Sequence, residues 1–286
     1  MTLSTQELEA FPLSRCTTFQ QSGNVPKFTR FFNLDHLQAF IKKNEPFFVI
    51  GKGSNSIINP NSKIKHMIQL SPKMFDPVLH ENKITFSSGT SVNECIKYCI
   101  KNGVSGFEFT AGVPATVGGM VTMNFGCWDK EISDMIDSAT ILDHTGNIKE
   151  LKQKDMCFSY RKSVFMESRW VIIKATFNIT RKLSIDIKTQ VNNYVKQRLD
   201  KQPMRSKTFG SIFKNPKNDY AARLIEAAGL KGYERNNVKI SEKHANFMEN
   251  IKDASYEDIK EMVLFIQEKI KKQFKVELQP EVQFYQ

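Results

Sequence analysis

At 286 residues, with 40% hydrophobic and 11% aromatic content, the chain has apolar material for one large core or for two or three smaller ones. Its apolar runs are broken by charge within a few residues, and residues 1–12 carry neither a basic start with an apolar stretch nor a cleavage signature, so a cytoplasmic protein without membrane insertion is expected. The formal charge of +11 points to anionic ligands, but the lysines are scattered rather than gathered in a tail or patch, which argues against nucleic acid.

From residue 47 the run F-F-V-I predicts a strand, G-K-G-S-N-S over 51–56 a tight glycine turn, and the following I-I-N-P irregular structure. Residues 84–88 read as a strand and 92–101 as an amphipathic helix stopped by Asn102-Gly103. Cys95 and Cys99 sit four apart on that helix with Val92, Ile96 and Ile100, the spacing of a buried face. With Cys16, Cys127 and Cys157 they make five cysteines and no C-x-x-C pair, so free thiols are expected rather than disulfides or a metal site. The stretch A-G-V-P-A-T-V-G-G over 111–119 then runs on through M-V-T-M-N-F-G to residue 126 with no apolar periodicity that would make it core.

Alternating segments at 138–142, 147–151 and 170–179 read as strands, the first two joined by a turn at 143–146, which completes an α+β lobe. A charged helix over 191–202 is broken at Pro203, and the main domain boundary is set between 183 and 203. Beyond it Asp219 is expected to cap a helix with Ala221, Leu224, Ile225 and Ala228 on one face and Gly229 just past its end. Residues 256–274 form a longer helix facing inward through Ile259, Val263, Ile266 and Ile270.

The segment G-x-G-S-N after a strand offers backbone N–H groups and small polar side chains that can close on a phosphate. It is not the dinucleotide fingerprint G-x-G-x-x-G, because no third glycine follows in place and Pro60 bars a standard helix. A second glycine loop at 111–119 allows a different reading, two loops gripping the two ends of one pyrophosphate cofactor. On spacing alone, glycines that merely permit tight turns explain the same residues. Three further polar stretches stand out: F-S-Y-R-K-S-V-F, G-S-I-F-K-N-P and L-Q-P-E-V-Q-F, beginning at Phe158, Gly210 and Leu278.

Taken in order, G-K-G-S-N, G-V-P-A-T-V-G-G-M-V-T-M-N-F-G, Y-R-K-S-V-F, G-S-I-F-K-N-P, A-A-R-L-I-E-A-A-G-L-K-G, V-K-I-S-E-K-H-A-N-F-M-E-N and L-Q-P-E-V closely resemble the UDP-N-acetylenolpyruvoylglucosamine reductase family over most of the chain. The resemblance implies an α+β fold in which a two-lobed vanillyl-alcohol-oxidase-type FAD site, lobes 1–66 and 67–183, is joined to a smaller α/β substrate domain at 184–286 whose last residues return to the active site. It implies NADPH as hydride donor, FAD as cofactor, and reduction of the enolpyruvyl group of UDP-N-acetylglucosamine enolpyruvate in a ping-pong cycle of peptidoglycan synthesis. A monomer or weak oligomer is expected. Departures from the family's glycines keep two alternatives open: a flavoprotein of the same fold acting on another nucleotide-sugar, and a catalytically silent flavin-binding paralogue.

Hydride addition to an enol ether conjugated with a carboxylate needs a cation at the carboxylate and a proton donor at the adjacent carbon. By resemblance Arg161 polarises the carboxylate, Ser211 donates the proton and Glu281 assists, while Lys214 is our own choice for stabilising the serine alkoxide. Flavin contacts fall by the same resemblance on Gly51, Lys52, Gly53, Ser54, Asn55 and Ser56, on Gly112, Val113, Pro114, Thr116, Val117, Gly118 and Gly119, and on Asn124 and Gly126. Tyr160, Lys214 and Asn215 match substrate positions, with no metal implied. The spacing between Arg161 and Ser211 fits the shorter of two family layouts, without the inserted loop that carries a clamping tyrosine.

The glycine positions of the family pattern that are filled otherwise here are Ser22, Ala115, Asp129 and the pair Asn236-Asn237. Where positive φ is required, alanine costs roughly 1 kcal/mol or more and asparagine is the best-tolerated replacement. The asparagine pair is therefore expected to keep its turn, and Ala115 and Asp129 to alter flavin contacts. Phe125, Cys127 and Trp128 make their segment bulkier than the family pattern.

Overall fold

The computed structural model describes residues 5–286. The first four residues, part of the segment read above for targeting signals, lie outside the described residues. Backbone contacts divide the chain into two compact units, one of residues 5–9, 27–52 and 66–197, the other of residues 10–26, 53–65 and 198–286.

The first unit is built on an antiparallel sheet in the order Ile148–Lys152, Ile136–Leu142, Val171–Asn178, Lys83–Ser87, Val78–His80. Phe86 and Phe177 point from it into a core where the Phe107 ring meets both edge-on, at 5.6 and 5.0 Å. The turn between Ile136–Leu142 and Ile148–Lys152 closes as expected. Asp143 Oδ1 accepts the N–H groups of Thr145 and Asn147, and Gly146 takes a φ of 83°.

A second, parallel arrangement pairs Lys27–Phe31 with His66–Leu70, whose other edge carries Phe47–Val49. Helix α1 (Leu34–Lys42), capped by the Asn33 side chain, sets Leu37, Phe40 and Ile41 against Phe31, Ile68 and Leu70. Helix α2 (Val92–Asn102) follows the predicted span. Ser91 and Glu94 form its capping box, Gly103 ends it at φ 62°, and Cys95, Ile96 and Cys99 are buried. All five cysteines are free, and burial pushes the Cys16 and Cys99 thiols up to about 12.

Residues 111–126 depart from expectation. Their second half is helix α3 (Val117–Thr122), with Val117, Met120 and Val121 in the core. One and a half turns are too short for a periodic signal, and two glycines at its start mask the apolar side. Helix α4 (Ser184–Lys201) starts well before residue 191, because Ile187 and Val191, one turn apart, give it a narrow buried stripe within charged sequence.

In the second unit, helix α5 (Ala221–Ala227) buries Ala221, Leu224 and Ile225 and is followed by Gly229 at φ 73°. Its cap corrects the sequence reading. Asn215 Oδ1 accepts the Ala221 N–H at 3.1 Å, while Asp219 accepts the N–H of Tyr220 and pairs with Arg223. Helix α6 (Tyr256–Phe274) has the predicted bounds, a Ser255–Asp258 capping box and Ile259, Val263, Ile266 and Ile270 buried. It packs on the sheet Glu234–Arg235, Val238–Ile240, Met248–Asn250. The I-I-N-P run is not irregular: Ser56–Ile58 is a strand, paired in parallel with Gln283–Tyr285 from the other end of the sequence.

Candidate active site

Strand Phe47–Val49 delivers the chain to Gly51, and the next four backbone N–H groups, Gly51 to Ser54, donate to no protein acceptor among the described residues. A run of open amides through a left-handed residue makes a concavity that attracts an anion. Gly53 supplies that residue at φ 60°, and a Cβ there would fall 2.2 Å from the Cys16 carbonyl oxygen, so only glycine fits. Gly51 is held by space rather than φ, since a Cβ would lie 2.5 Å from Thr116 Oγ1. The two glycine loops read from the sequence are thus in contact, Gly51 against Thr116. Lys52 acts on Glu94 as well: burial works to raise that carboxyl, yet hydrogen bonds from Ser91 and the lysine charge leave it below its ordinary value.

The second loop has little left to donate. Val113 and Ala115 bond within the loop, Val117 and Gly118 donate to the carbonyls of Thr90 and Ser88, and Gly119 donates to Thr116 Oγ1, the cap of α3. A Cβ on Gly118 would lie 3.0 Å from that of Ser88, so this glycine serves close packing. Gly112 turns the chain at φ 81°, and Pro114 beside it is exposed. The second loop packs against Gly51, and the first keeps open donors. Sequence reasoning misses the Ser88-Gly89-Thr90 stretch that braces it, since only the strand before it carries a signal.

Asn124 is fully buried, and its amide bonds Glu131 Oε2 at 2.7 Å, the Ser159 carbonyl and the Ser133 N–H. It knits the 124–134 segment to the loop carrying Arg161. Gly126 accepts from Arg161 Nη2 at 2.7 Å through its carbonyl. Arg161 occupies the second corner of a two-residue turn closed by reciprocal bonds between Ser159 and Lys162, at φ 54°, a corner that favours glycine. Tyr160, the first corner, is 47% exposed and lies under the guanidinium, 5.2 Å from Cζ to ring centre. An arginine kept in a strained turn is a common mark of a working residue.

Ser211, Lys214, Asn215 and Glu281 belong to the second unit, where three segments run side by side. Ser211 bridges Phe247 and Phe213 bridges Pro280; the Glu281 N–H donates to Ile212 and the Lys214 N–H to Gln279. Buried Asn246, to which the sequence motif assigns no role, bonds both the N–H and the carbonyl of Phe213 and so fixes the serine strand. His244 accepts the Asn246 N–H through Nδ1, and burial lowers the pKa of that ring. Asn55 Nδ2 donates to the Glu281 carbonyl, the Gln283 N–H donates to the Asn55 carbonyl, and a Cβ on Gly210 would sit 3.8 Å from the Ser54 carbonyl oxygen.

The end of the first glycine loop, Ser54 to Ser56, thereby meets the segments carrying Ser211 and Glu281. Ser211 is partly exposed and its hydroxyl has no hydrogen-bond partner among the described residues, so it is available to an incoming group. Lys214 is half-buried, and Asn215 is exposed, its Oδ1 accepting the Ala221 N–H at the start of α5. Arg161 lies in the first unit.

Residues 34–152 match the FAD binding domain family, and residues 202–285 match the family described as UDP-N-acetylenolpyruvoylglucosamine reductase, C-terminal domain. An FAD-binding domain followed by a reductase C-terminal domain defines a two-domain flavoprotein oxidoreductase. UDP-N-acetylenolpyruvoylglucosamine reductase of Caldicellulosiruptor saccharolyticus is 35% identical over 99% of this chain and 93% of its own length. That of Caldanaerobacter subterraneus subsp. tengcongensis is 32% identical over 95% of this chain and 91% of its own. The crystal structure of UDP-N-acetylenolpyruvylglucosamine reductase (MurB) from Thermus caldophilus superposes with a TM-score of 0.82 at 24% identity, covering 99% of both chains, which is a likeness of fold. The chain belongs to the UDP-N-acetylenolpyruvoylglucosamine reductase family.

Proposed function

We propose that the protein reduces UDP-N-acetylglucosamine enolpyruvate to UDP-N-acetylmuramate, with NADPH as donor and FAD as cofactor, in peptidoglycan synthesis. The observation that carries this reading is the junction in the second unit, where the open amides of Gly53 and Ser54 run directly into the residues that hold Ser211 and Glu281. We assign residues 1–66 and 67–183 to the two lobes of a vanillyl-alcohol-oxidase-type flavin fold and 184–286 to the substrate domain.

We assign to a cofactor pyrophosphate the open amides of Gly51 and Lys52 in the first unit, where Thr116 stands against Gly51, and those of Gly53 and Ser54 in the second. A bound flavin would supply hydride transfer from NADPH to the terminal carbon of the enolpyruvyl group, in two separate half-reactions. Arg161 then pairs with the substrate carboxylate, whose negative charge spreads onto its oxygens as the carbon–carbon double bond is reduced. Ser211 gives its hydroxyl proton to the carbon beside the carboxylate, Glu281 assists at the same intermediate, and the Lys214 ammonium offsets the alkoxide left on the serine.

The test is the visible spectrum of the purified protein, reduced anaerobically with one equivalent of NADPH and then mixed with the enolpyruvyl substrate. A flavin band that bleaches and returns supports the whole reading; a band that bleaches without returning means a different acceptor, and no band means a chain that does not hold flavin. Ser211→Ala should leave the NADPH step near wild type and slow the second step by roughly 10²–10⁴-fold. Equal loss in both steps removes the serine from the proton-donor role.

A further inference from the structure

We propose that Phe125 is a positioning residue for Arg161, holding its guanidinium in the orientation that receives the substrate carboxylate. The inference rests on the role given to Arg161 above and adds a residue that role does not include.

Arg161 reaches its place from a strained corner, φ 54°, at the tip of a two-residue turn. A long side chain on such a tip has many rotamers, and pairing with a planar carboxylate needs one of them. Nη2 is fixed by the Gly126 carbonyl at 2.7 Å. Gly126 lacks the Cβ that would come within 3.3 Å of Nη1, so the guanidinium lies close along this segment. The bond at Nη2 places one nitrogen, and groups standing against the guanidinium help limit the tilt of its plane. The Phe125 ring, 5.8 Å from Cζ, and the Tyr160 ring, 5.2 Å away, are two such groups, because an aromatic face attracts a guanidinium at this range.

The two rings are not equivalent. Tyr160 is 47% exposed and rides on the same turn as Arg161, so it moves when the turn moves. Phe125 is anchored: its N–H donates to Met120, its carbonyl accepts from Ile132, and its ring stacks on Phe109 at 6.2 Å and 15°, with Phe109 only 2% exposed. Buried Asn124 locks the residue before it. Phe125 is therefore a wall of fixed position, half-buried, with the arginine over its ring. Were its work only to fill the core, any apolar side chain of similar size would serve.

That difference gives the experiment. Phe125→Leu keeps apolar bulk against Phe109 and removes the aromatic face; Phe125→Tyr keeps the face. Flavin reoxidation by UDP-N-acetylglucosamine enolpyruvate should slow about ten-fold in the leucine variant and stay within about two-fold of wild type in the tyrosine variant, with reduction by NADPH and thermal midpoint unchanged in both. Placed on Arg161→Gln, the leucine change should cost less than about two-fold, because the group it orients is gone. Nitrogen NMR of the guanidinium reads the placement without any reaction: separate Nη signals for Arg161 in wild type and Phe125→Tyr, merged by rotation in Phe125→Leu. Equal losses in the wild-type and Arg161→Gln backgrounds, or Nη signals indifferent to leucine, overturn the proposal. If wild-type flavin is not reoxidised by the enolpyruvyl compound, the functional reading falls instead, and the Nη signals alone decide the positioning role.

Discussion

The hairpin Gly126–Cys127 with Lys130–Glu131 turns through Trp128 at φ 53° and Asp129 at φ 56°. Two left-handed corners define the type I′ turn, whose second corner favours glycine. Trp128 is tied down by its ring against Tyr194, 4.5 Å away, whereas Asp129 is exposed. Asp129→Gly is therefore expected to stabilise the protein by about 0.5 kcal/mol, the relief of strain less the added chain entropy, read as a higher urea midpoint. A lower midpoint would mean that the aspartate side chain makes a contact worth more than the strain. The other departures from the family glycines divide on the same criterion. Asn236 has φ 53° and keeps its turn as expected, while Ser22 and Ala115 have no positive φ, so at Ala115 the expected backbone cost does not arise. Sequence alone marks where a glycine is missing; φ is set by the closed fold.

Among the elements, α2 and α6 are readable in the sequence to within a residue or two because both carry a capping box and an apolar stripe, and α2 also ends on Gly103. Helix α3 and strand Ser56–Ile58 are not, for a shared reason. Each is too short to establish a pattern and is stabilised by distant partners, the Ser88-to-Thr90 backbone for the helix and Gln283–Tyr285 for the strand. The loop pair is legible as two glycine-rich stretches, but not the division of labour between them. Gly51→Ala tests that division. Its Cβ would push on Thr116 Oγ1, the cap of α3, so flavin affinity should fall at least about ten-fold in a fluorescence titration while circular dichroism stays near wild type. Unchanged affinity would show that the contact between the loops does not shape the cofactor site.

At the scale of the whole molecule, each unit contains a histidine that folding keeps neutral. Burial lowers the pKa of His66, with Lys27 adding to the effect, and burial likewise lowers that of His244. Both folded values lie below the unfolded one, about 6.5. Below that pH the unfolded chain binds more protons than the folded chain, so stability is full above about pH 7 and declines as the pH falls through about 6.5 toward the lower folded values. The thermal midpoint should be level from about pH 7 to 8 and drop toward about pH 5, and His244→Gln should make the drop shallower. The same slope in wild type and variant would assign the acid sensitivity to other groups. Carboxylates held below their ordinary range belong to a separate window below about pH 4; Asp258 is one, which burial works to raise but hydrogen bonds from Ser255 and Asn237 hold low.

The sequence by itself determined the local and the chemical: caps and stripes that make helices, the glycine loops, and ordered motifs that carry the family resemblance. Those signals lie within a few residues of one another, where propensity and periodicity act. The tertiary structure alone decided which segments share a unit, that residues 53–65 lie with 198–286, that Asn55 grips Glu281, that Asn246 fixes the serine strand and that Phe125 stands beside Arg161. Each of these joins residues far apart in the chain, and no short-range pattern encodes them. They follow from closing long loops onto buried hydrogen bonds and packed rings, a gain realised only when the whole chain is in place.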